Sequence, residues 1–142
     1  MSQREEVRRR VAERVAAIAE IGLSHALGFR VVDWGEGRAK VELEVGPIVE
    51  NPNAMLHGGA IASLIDHAGT VAISSSDREG RPGVSTDLNV TFLAPAPRGS
   101  TVVAEAQVLK NGKTLAFVTV DVRRKDDGVL VAQGRMTKFQ DL

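Results

Sequence analysis

Cysteine and tyrosine are both absent from this chain of 142 residues. Without thiols it can form no disulfide, no thiolate nucleophile and no cysteine zinc site. An excess of either charge is missing too, since 18 Lys and Arg balance 18 Asp and Glu. Phosphate binding wants a basic excess, so nucleic acid is not expected as the main partner. The same neutrality leaves little long-range repulsion between copies and permits self-association. The three histidines, His25, His57 and His67, are too scattered for a HExxH-type metal motif. No apolar run is long enough to span a bilayer, and the opening MSQREEVRRR is charged rather than apolar. The expectation is therefore a cytoplasmic protein with neither a membrane span nor a signal peptide.

What is present reads as a single domain, long enough to bury a core. Val7, Val11, Val15 and Ile18 recur at helical spacing, predicting an amphipathic helix over 3–21. Its RRR run alternates with acids, as a solvated helix face does. Beyond Gly28 the apolar period drops to two. FRVVDW and RAKVELEV, joined by GEG, read as a hairpin with Ala39, Val41, Leu43 and Val45 on one face. A helix over about 59–76 follows, then strands at 84–93, 101–109, 114–123 and 129–138. KNGKT supplies Asn-Gly, a strong two-residue hairpin signal, and KDDG the next turn. Each strand has one apolar face, and one apolar-rich helix is available to cover it. That predicts an α+β fold, an antiparallel sheet curled around a single helix. Ile61, Leu64, Ile65 and Ala68 give the helix an apolar stripe. Gly58, Gly59, Ala60, Ala62, Gly69 and Ala72 let strands come close.

The stretch NPNAMLHGGAIASLIDHAGT, residues 51–70, carries the chemistry. A helix N-terminus presents unpaired N–H groups and about half a positive charge. Gly58 and Gly59 would let a ligand approach those amides, and a carbonyl gaining negative charge would be stabilised there. A tight turn with close helix–sheet packing is the plainer account of the same glycines. Asp66 sits midway along the helix, sharing its less apolar face with Ser63, His67 and Thr70. Burying an unpaired carboxylate costs several kcal/mol, so Asp66 must have a partner or face a cleft. It is either a structurally bonded acid or a general base or nucleophile.

From Gly59 to Asp66 is seven residues, about 10 Å along the axis at 1.5 Å per residue. Asp66 therefore cannot easily serve a carbonyl docked on its own helix's N-terminus. If both features are catalytic they should meet between two chains with antiparallel central helices, as in a two-fold dimer with two equal sites. Asn51, ahead of a proline, either donates to a carbonyl or forms a turn. His57 either donates to substrate or braces the loop. On the strand at 84–93, alternation sets Ser85, Asp87, Asn89 and Thr91 opposite Val84, Leu88, Val90 and Phe92. The polar face is wet, or lines a cleft in which Ser85 holds a water.

The pattern N-x5-HGG-x6-D from Asn51 to Asp66, followed in order by PGVSTDLNVTFLAPA, VLKNGKTLAF and VAQGRMTK, resembles the hotdog-fold acyl-CoA thioesterases. The resemblance is to the branch holding the phenylacetate-pathway bacterial enzymes and the mammalian thioesterase-superfamily proteins. It covers about residues 25 to 140, so we divide the chain into an N-terminal helix at 1–24 and a hotdog domain at 25–142. It implies a six-stranded antiparallel sheet around the central helix, paired through the 84–93 edge into a homodimer and commonly a homotetramer. It implies a thioester hydrolase whose site lies between subunits. There the Gly58 N–H would polarise the carbonyl, assisted by Asn51 and His57, while Asp66 and Ser85 of the opposing subunit activate water. Asn53, two residues on, is a second amide that competes with Asn51 for this role. Direct attack by Asp66 and general-base catalysis both stay open.

By the same resemblance, coenzyme A would lie on Lys110, Asn111, Gly112, Lys113, Thr114 and Leu115, with Asp87, Phe92 and Phe139 nearby. A turn offering N–H groups between two ammonium groups suits phosphates, and a plain solvated hairpin has the same composition. No metal or other cofactor is expected, coenzyme A being part of the substrate. The competing function is a non-catalytic acyl-CoA-binding hotdog domain, a sensor or scaffold, which would need no acid in its cleft. A hydratase or dehydratase fits HGG-x6-D poorly. Aryl and medium-chain acyl groups are both open.

Overall fold

A computed structural model describes residues 1–77 and 79–140. Arg78, Asp141 and Leu142, all within the expected 25–142 domain, lie outside the described residues. In chain order the elements are α1 Gln3–Glu20, α2 Leu23–Leu27, β1 Arg30–Gly35, β2 Arg38–Glu44, α3 Gly58–Ser76, β3 Val84–Phe92, β4 Thr101–Asn111, β5 Leu115–Arg124 and β6 Leu130–Phe139. The six strands form one antiparallel sheet in the order β1-β2-β4-β5-β6-β3, around α3. The expected α+β arrangement of a sheet around a single long helix is what the chain adopts. No helix among the described residues is long and apolar enough to cross a membrane.

Alternation accounts for most of the sheet. Val41, Leu43, Val102, Ala104, Val118, Val120, Val122 and Met136 turn inward and are buried against Ile61, Leu64, Ile65, Ala68, Val71 and Ala72 of α3. Two glycines set how closely helix and sheet approach. A Cβ on Gly69 would lie 2.5 Å from the Met136 sulfur and 3.0 Å from Val118. A Cβ on Gly134, in β6, would lie 2.7 Å from Cγ2 of Ile65. Small residues are therefore required at both surfaces.

The α1 helix begins with a capping box between Ser2 and Glu5 and packs Val11 and Val15 into the core beside α3. The one-turn α2 was not expected from periodicity, being too short to display any. Gly22 (φ 70°) and Gly28 (φ 83°) mark its two ends. The GEG turn does form a tight hairpin, with positive φ at both Glu36 (52°) and Gly37 (84°).

Two local expectations are corrected. Asn-Gly is not the centre of the β4–β5 turn. Asn111 stays in β4 opposite Ala116, and the turn is closed by the Gly112 N–H donating to the Leu115 carbonyl at 2.8 Å. The Asn111 side chain is held elsewhere, donating to Ser76 Oγ at 2.8 Å and accepting from Gln140 at 3.1 Å. In β3, a bulge at Thr86 breaks the alternation, since Ser85 pairs with Lys138 and Asp87 with the next residue back, Thr137. Ser85 therefore shares the inward face with Leu88, Val90 and Phe92. Asp87, Asn89 and Thr91 occupy the outer face. An extra residue reverses every side chain beyond it.

The Gly134 contact gives a test of the packing. Gly134→Ala should destabilise by about 1–3 kcal/mol, because Ile65 must move to admit the methyl. Urea denaturation with an unchanged m-value would measure it.

Candidate active site

The N-terminus of α3 is capped by its own histidine. His57 Nδ1 accepts the Gly59 N–H at 2.8 Å, and the His57 carbonyl accepts the Ile61 N–H. Because Nδ1 is the acceptor, the neutral ring carries its proton on Nε2. The cap consumes the Gly59 donor and leaves the Gly58 N–H without a hydrogen-bond partner among the described residues. Gly58, the first helical residue, is half-buried, and a Cβ built on it would sit 3.4 Å from the ring of Phe92. Asn51 is largely committed to its loop: its Oδ1 accepts the N–H of Asn53 at 2.9 Å and of Met55 at 3.2 Å. The turn reading of Asn51 thus holds, while its Nδ2 donates to none of the described residues. Asn53 is exposed at the tip of that turn.

Two turns further along α3, Asp66 is half-buried and accepts a hydrogen bond on Oδ1 from Ser85 Oγ at 2.7 Å. The β3 bulge makes this contact possible by turning Ser85 inward. Oδ2 of Asp66 accepts no hydrogen bond from the described residues. Asp66, Ser63 and Thr70 line a cavity of about 210 Å³ whose other walls include Ile18, Leu23 and Phe29. A carboxylate with one oxygen held and the other open to a cleft can take a proton from water or attack an electrophile.

His67 does not belong to an open polar face. It is 4% exposed, lies against the Phe29 ring at 5.3 Å between centroids, and pairs Nδ1 with Ser24 Oγ at 2.8 Å. Nε2 has no partner. Burial pushes the imidazole pKa down to about 4, with the neighbouring Asp66 charge opposing that shift.

One cation beside Asp66 was missed in the sequence. Lys138 of β6 is 4% exposed and donates to Thr70 Oγ1 at 2.6 Å and Ser85 Oγ at 3.3 Å. Its position was legible in principle, since it shares the inward alternation of Ala132, Gly134 and Met136. A lysine at the end of a strand reads more readily as solvated. Burial lowers its pKa, and Asp66 opposes the shift.

Of the remaining expected contacts, all but Phe92 lie apart from these two centres. Lys110, Lys113 and Thr114 are exposed on the β4–β5 hairpin, and Leu115 opens β5 opposite Phe139. The bond from Asn111 to Ser76 sets this hairpin at the C-terminal end of α3, away from Gly58. Asp87 is on the outer face, accepting from Thr137 Oγ1 at 3.3 Å. Phe92 stands at the other end of β3, against Gly58. Among the described residues β3 pairs only with β6, which leaves its second edge open. Along it Val84, Leu88, Phe92 and Leu93 are 40–55% exposed.

Comparison with known proteins follows the same lines. The Thioesterase superfamily profile matches residues 53–131. Acyl-coenzyme A thioesterase 13 of Homo sapiens is 44% identical over 108 residues, 76% of each chain. The crystal structure of zebra fish thioesterase superfamily member 2 superposes with a TM-score of 0.83 at 41% identity, over 92% of this chain and 95% of that one. The E. coli PaaI protein of the phenylacetic acid degradation operon gives a TM-score of 0.84 at 26% identity, over 94% and 95%.

The buried His67 makes folding stability depend on pH. The unfolded imidazole binds a proton near pH 6.5 and the folded one only near 4. The unfolded state thus holds more protons between those values, and stability falls as pH drops through the window, by about 3 kcal/mol in all. Above pH 6.5 the penalty vanishes. Urea midpoints measured across pH 4 to 7 should fall less steeply in His67→Gln than in the wild type.

Proposed function

The chain belongs to the thioesterase superfamily, and from that premise we propose that it hydrolyses acyl-CoA thioesters at a site shared by two subunits. What carries the proposal is the division of labour along one open edge. An unpartnered Gly58 amide stands at one end of it, and Asp66 with its Ser85 donor at the other. Eight residues of α3 separate them, about 12 Å along a rigid helix. A single thioester cannot reach both within one chain.

The open β3 edge supplies the remedy. Phe92 marks the Gly58 end of that strand and Ser85 the Asp66 end. Antiparallel pairing of two β3 edges about a two-fold axis near Leu88 and Asn89 sets Ser85 of one copy toward the Phe92 end of the other. Asp66 then faces Gly58 of the partner subunit, twice per dimer. The pairing also covers the exposed apolar side chains of β3 and extends the sheet through both copies. Dimers pairing into a homotetramer complete the assembly.

In the reaction, the thioester carbonyl docks on the Gly58 N–H, where the helix N-terminus favours the charge that builds on oxygen. Asn51 Nδ2 and the Nε2–H of His57 are the further donors at that end. Asp66 of the opposing chain uses its free oxygen to take a proton from water, or attacks directly, while the Ser85 hydroxyl holds the other oxygen in place. The carbon–sulfur bond breaks and the thiolate of coenzyme A is protonated. On the direct route the acyl–Asp66 anhydride left behind is then cleaved by water, so either route consumes one water and releases the free acid. Neither route requires a metal or another cofactor. The cavity beside Asp66, walled by Ile18, Leu23 and Phe29, suits an apolar acyl group. The nucleotide extends over the hairpin at Lys110 to Leu115, with Phe139 beneath it and Asp87 on the outer face.

Two substitutions test the shared site. Asp66→Asn should lower kcat for thiol release from acyl-CoA by at least about 100-fold. Gly58→Pro deletes the amide proton at the first helical position, where proline is tolerated, and the extended ψ of 137° at His57 suits a following proline. It should cost about 100- to 1,000-fold. Mixing the two inactive proteins under subunit exchange should restore activity, because each heterodimer has one site with both halves intact, worth about half of a wild-type dimer. No recovery despite proven exchange, or a fully active monomer by light scattering, would overturn the shared site.

A further inference from the structure

We propose that Lys138 is a positioning residue for the hydrolytic centre, its ammonium fixing the Ser85 hydroxyl as a donor to Asp66. The inference rests on the reading of Asp66 given above, and adds to it a residue on a different strand.

The argument is one of proton inventory. An ammonium has donors and no acceptor, whereas a hydroxyl has one proton and two lone pairs. Lys138 Nζ donates to Ser85 Oγ at 3.3 Å and to Thr70 Oγ1 at 2.6 Å. Each hydroxyl must present a lone pair to the cation, so each directs its single proton elsewhere. Both protons go to Asp66. Ser85 donates to the carboxylate Oδ1 at 2.7 Å, and Thr70 donates to the backbone carbonyl of Asp66 at 2.7 Å. Without the ammonium, Ser85 is free to turn its proton toward water or substrate, and the carboxylate loses the contact that aims its second oxygen.

Burial makes the arrangement costly unless it serves a purpose. Lys138 is 4% exposed and makes no salt bridge within 4 Å among the described residues. A desolvated ammonium held only by two hydroxyls is less stable than a methionine of similar volume would be in the same space. Its charge compensation comes from Asp66 through the intervening serine. The other ionisable groups of the elements around it face away. His67 is turned onto Ser24 and Phe29, and Asp87 is on the outer face of β3. On β5 the paired residue is Ala116, which carries no charge.

The test compares Lys138→Met, Lys138→Arg, Ser85→Ala and the Lys138→Met/Ser85→Ala double variant in thiol-release assays, with thermal melting of each. Lys138→Met should lower kcat about 10- to 100-fold, leave KM within about twofold, and melt no lower than wild type. Lys138→Arg, which keeps the cation, should recover part of the loss. In the Ser85→Ala background the same methionine substitution should cost less than about threefold, because the hydroxyl it acts through is gone.

A Lys138→Met enzyme with wild-type kcat overturns the inference, as does an equal cost in both backgrounds. Should Lys138→Met fail to fold, the wild-type pH profile decides. kcat should decline on the alkaline side below the ordinary lysine range as the buried ammonium loses its proton, and a flat profile there overturns the proposal. Asp66→Asn, run alongside, separates two failures. If it hydrolyses as fast as wild type, the underlying mechanism is wrong. If it is inactive while Lys138→Met is not impaired, only the role of Lys138 is wrong.

Discussion

The stiffness of α3 governs everything else in this molecule. A helix enclosed by a six-stranded sheet cannot bend to bring its first turn to its middle. Gly134 and Gly69 tighten that enclosure until a single added methyl would collide with Ile65, Met136 or Val118. Packing this close allows the amide at one end of the helix and the acid along it no independent motion. Their separation is therefore a fixed quantity, and any chemistry that needs both must be arranged by what is laid across the open edge. A softer or more loosely packed helix would not impose that requirement.

The same enclosure explains which polar groups needed help. His57 closes the helix by accepting the Gly59 amide, which singles out the neighbouring Gly58 amide as the donor left over. At Asp66 the support comes from hydroxyls on α3 and β3 and, on our proposal, from a lysine on β6 behind them. One end is thus prepared by leaving a donor unpaired and the other by pairing an acceptor on one side only. His67, next to Asp66 in sequence, takes no part. Its ring lies against Phe29 and Ser24 in the wall of the same cavity, and burial there keeps it neutral.

Much of this was legible in the residues themselves. Period-two alternation placed all six strands to within a few positions, and the density of small residues on α3 identified it as the enclosed helix. Asp66 stood out because an acid on such a helix demands an explanation. What escaped were features decided by one extra residue or by a partner distant in sequence. Strict alternation grouped Ser85 with Asp87, and the bulge at Thr86 separates them. Asn-Gly in KNGKT carried the strongest turn signal, yet Asn111 is drawn off by Ser76 and Gln140. Lys138 gave the right parity for an inward residue, but charge outweighs parity when a strand is read alone. The short α2 had no period to show at all.

The open β3 edge supports the proposed pairing independently of catalysis. Nine residues of edge strand with half-exposed valine, leucine and phenylalanine invite indiscriminate strand addition. Chains that keep such an edge in isolation usually break it with proline or inward-pointing charge. Here Pro82 and Pro95 flank the strand without interrupting it, and Asp87, its one charged residue, points to the outer face. The outward bulge lies at Thr86, close to the Asp66 end, and leaves the segment from Asp87 to Phe92 regular enough to pair. From Asp87 to Phe92 the edge is regular and carries neither a proline nor an inward-pointing charge, as the proposed pairing requires. Covering it with a second copy of itself satisfies the backbone, buries the apolar side chains, and brings together the two halves of the site that α3 holds apart.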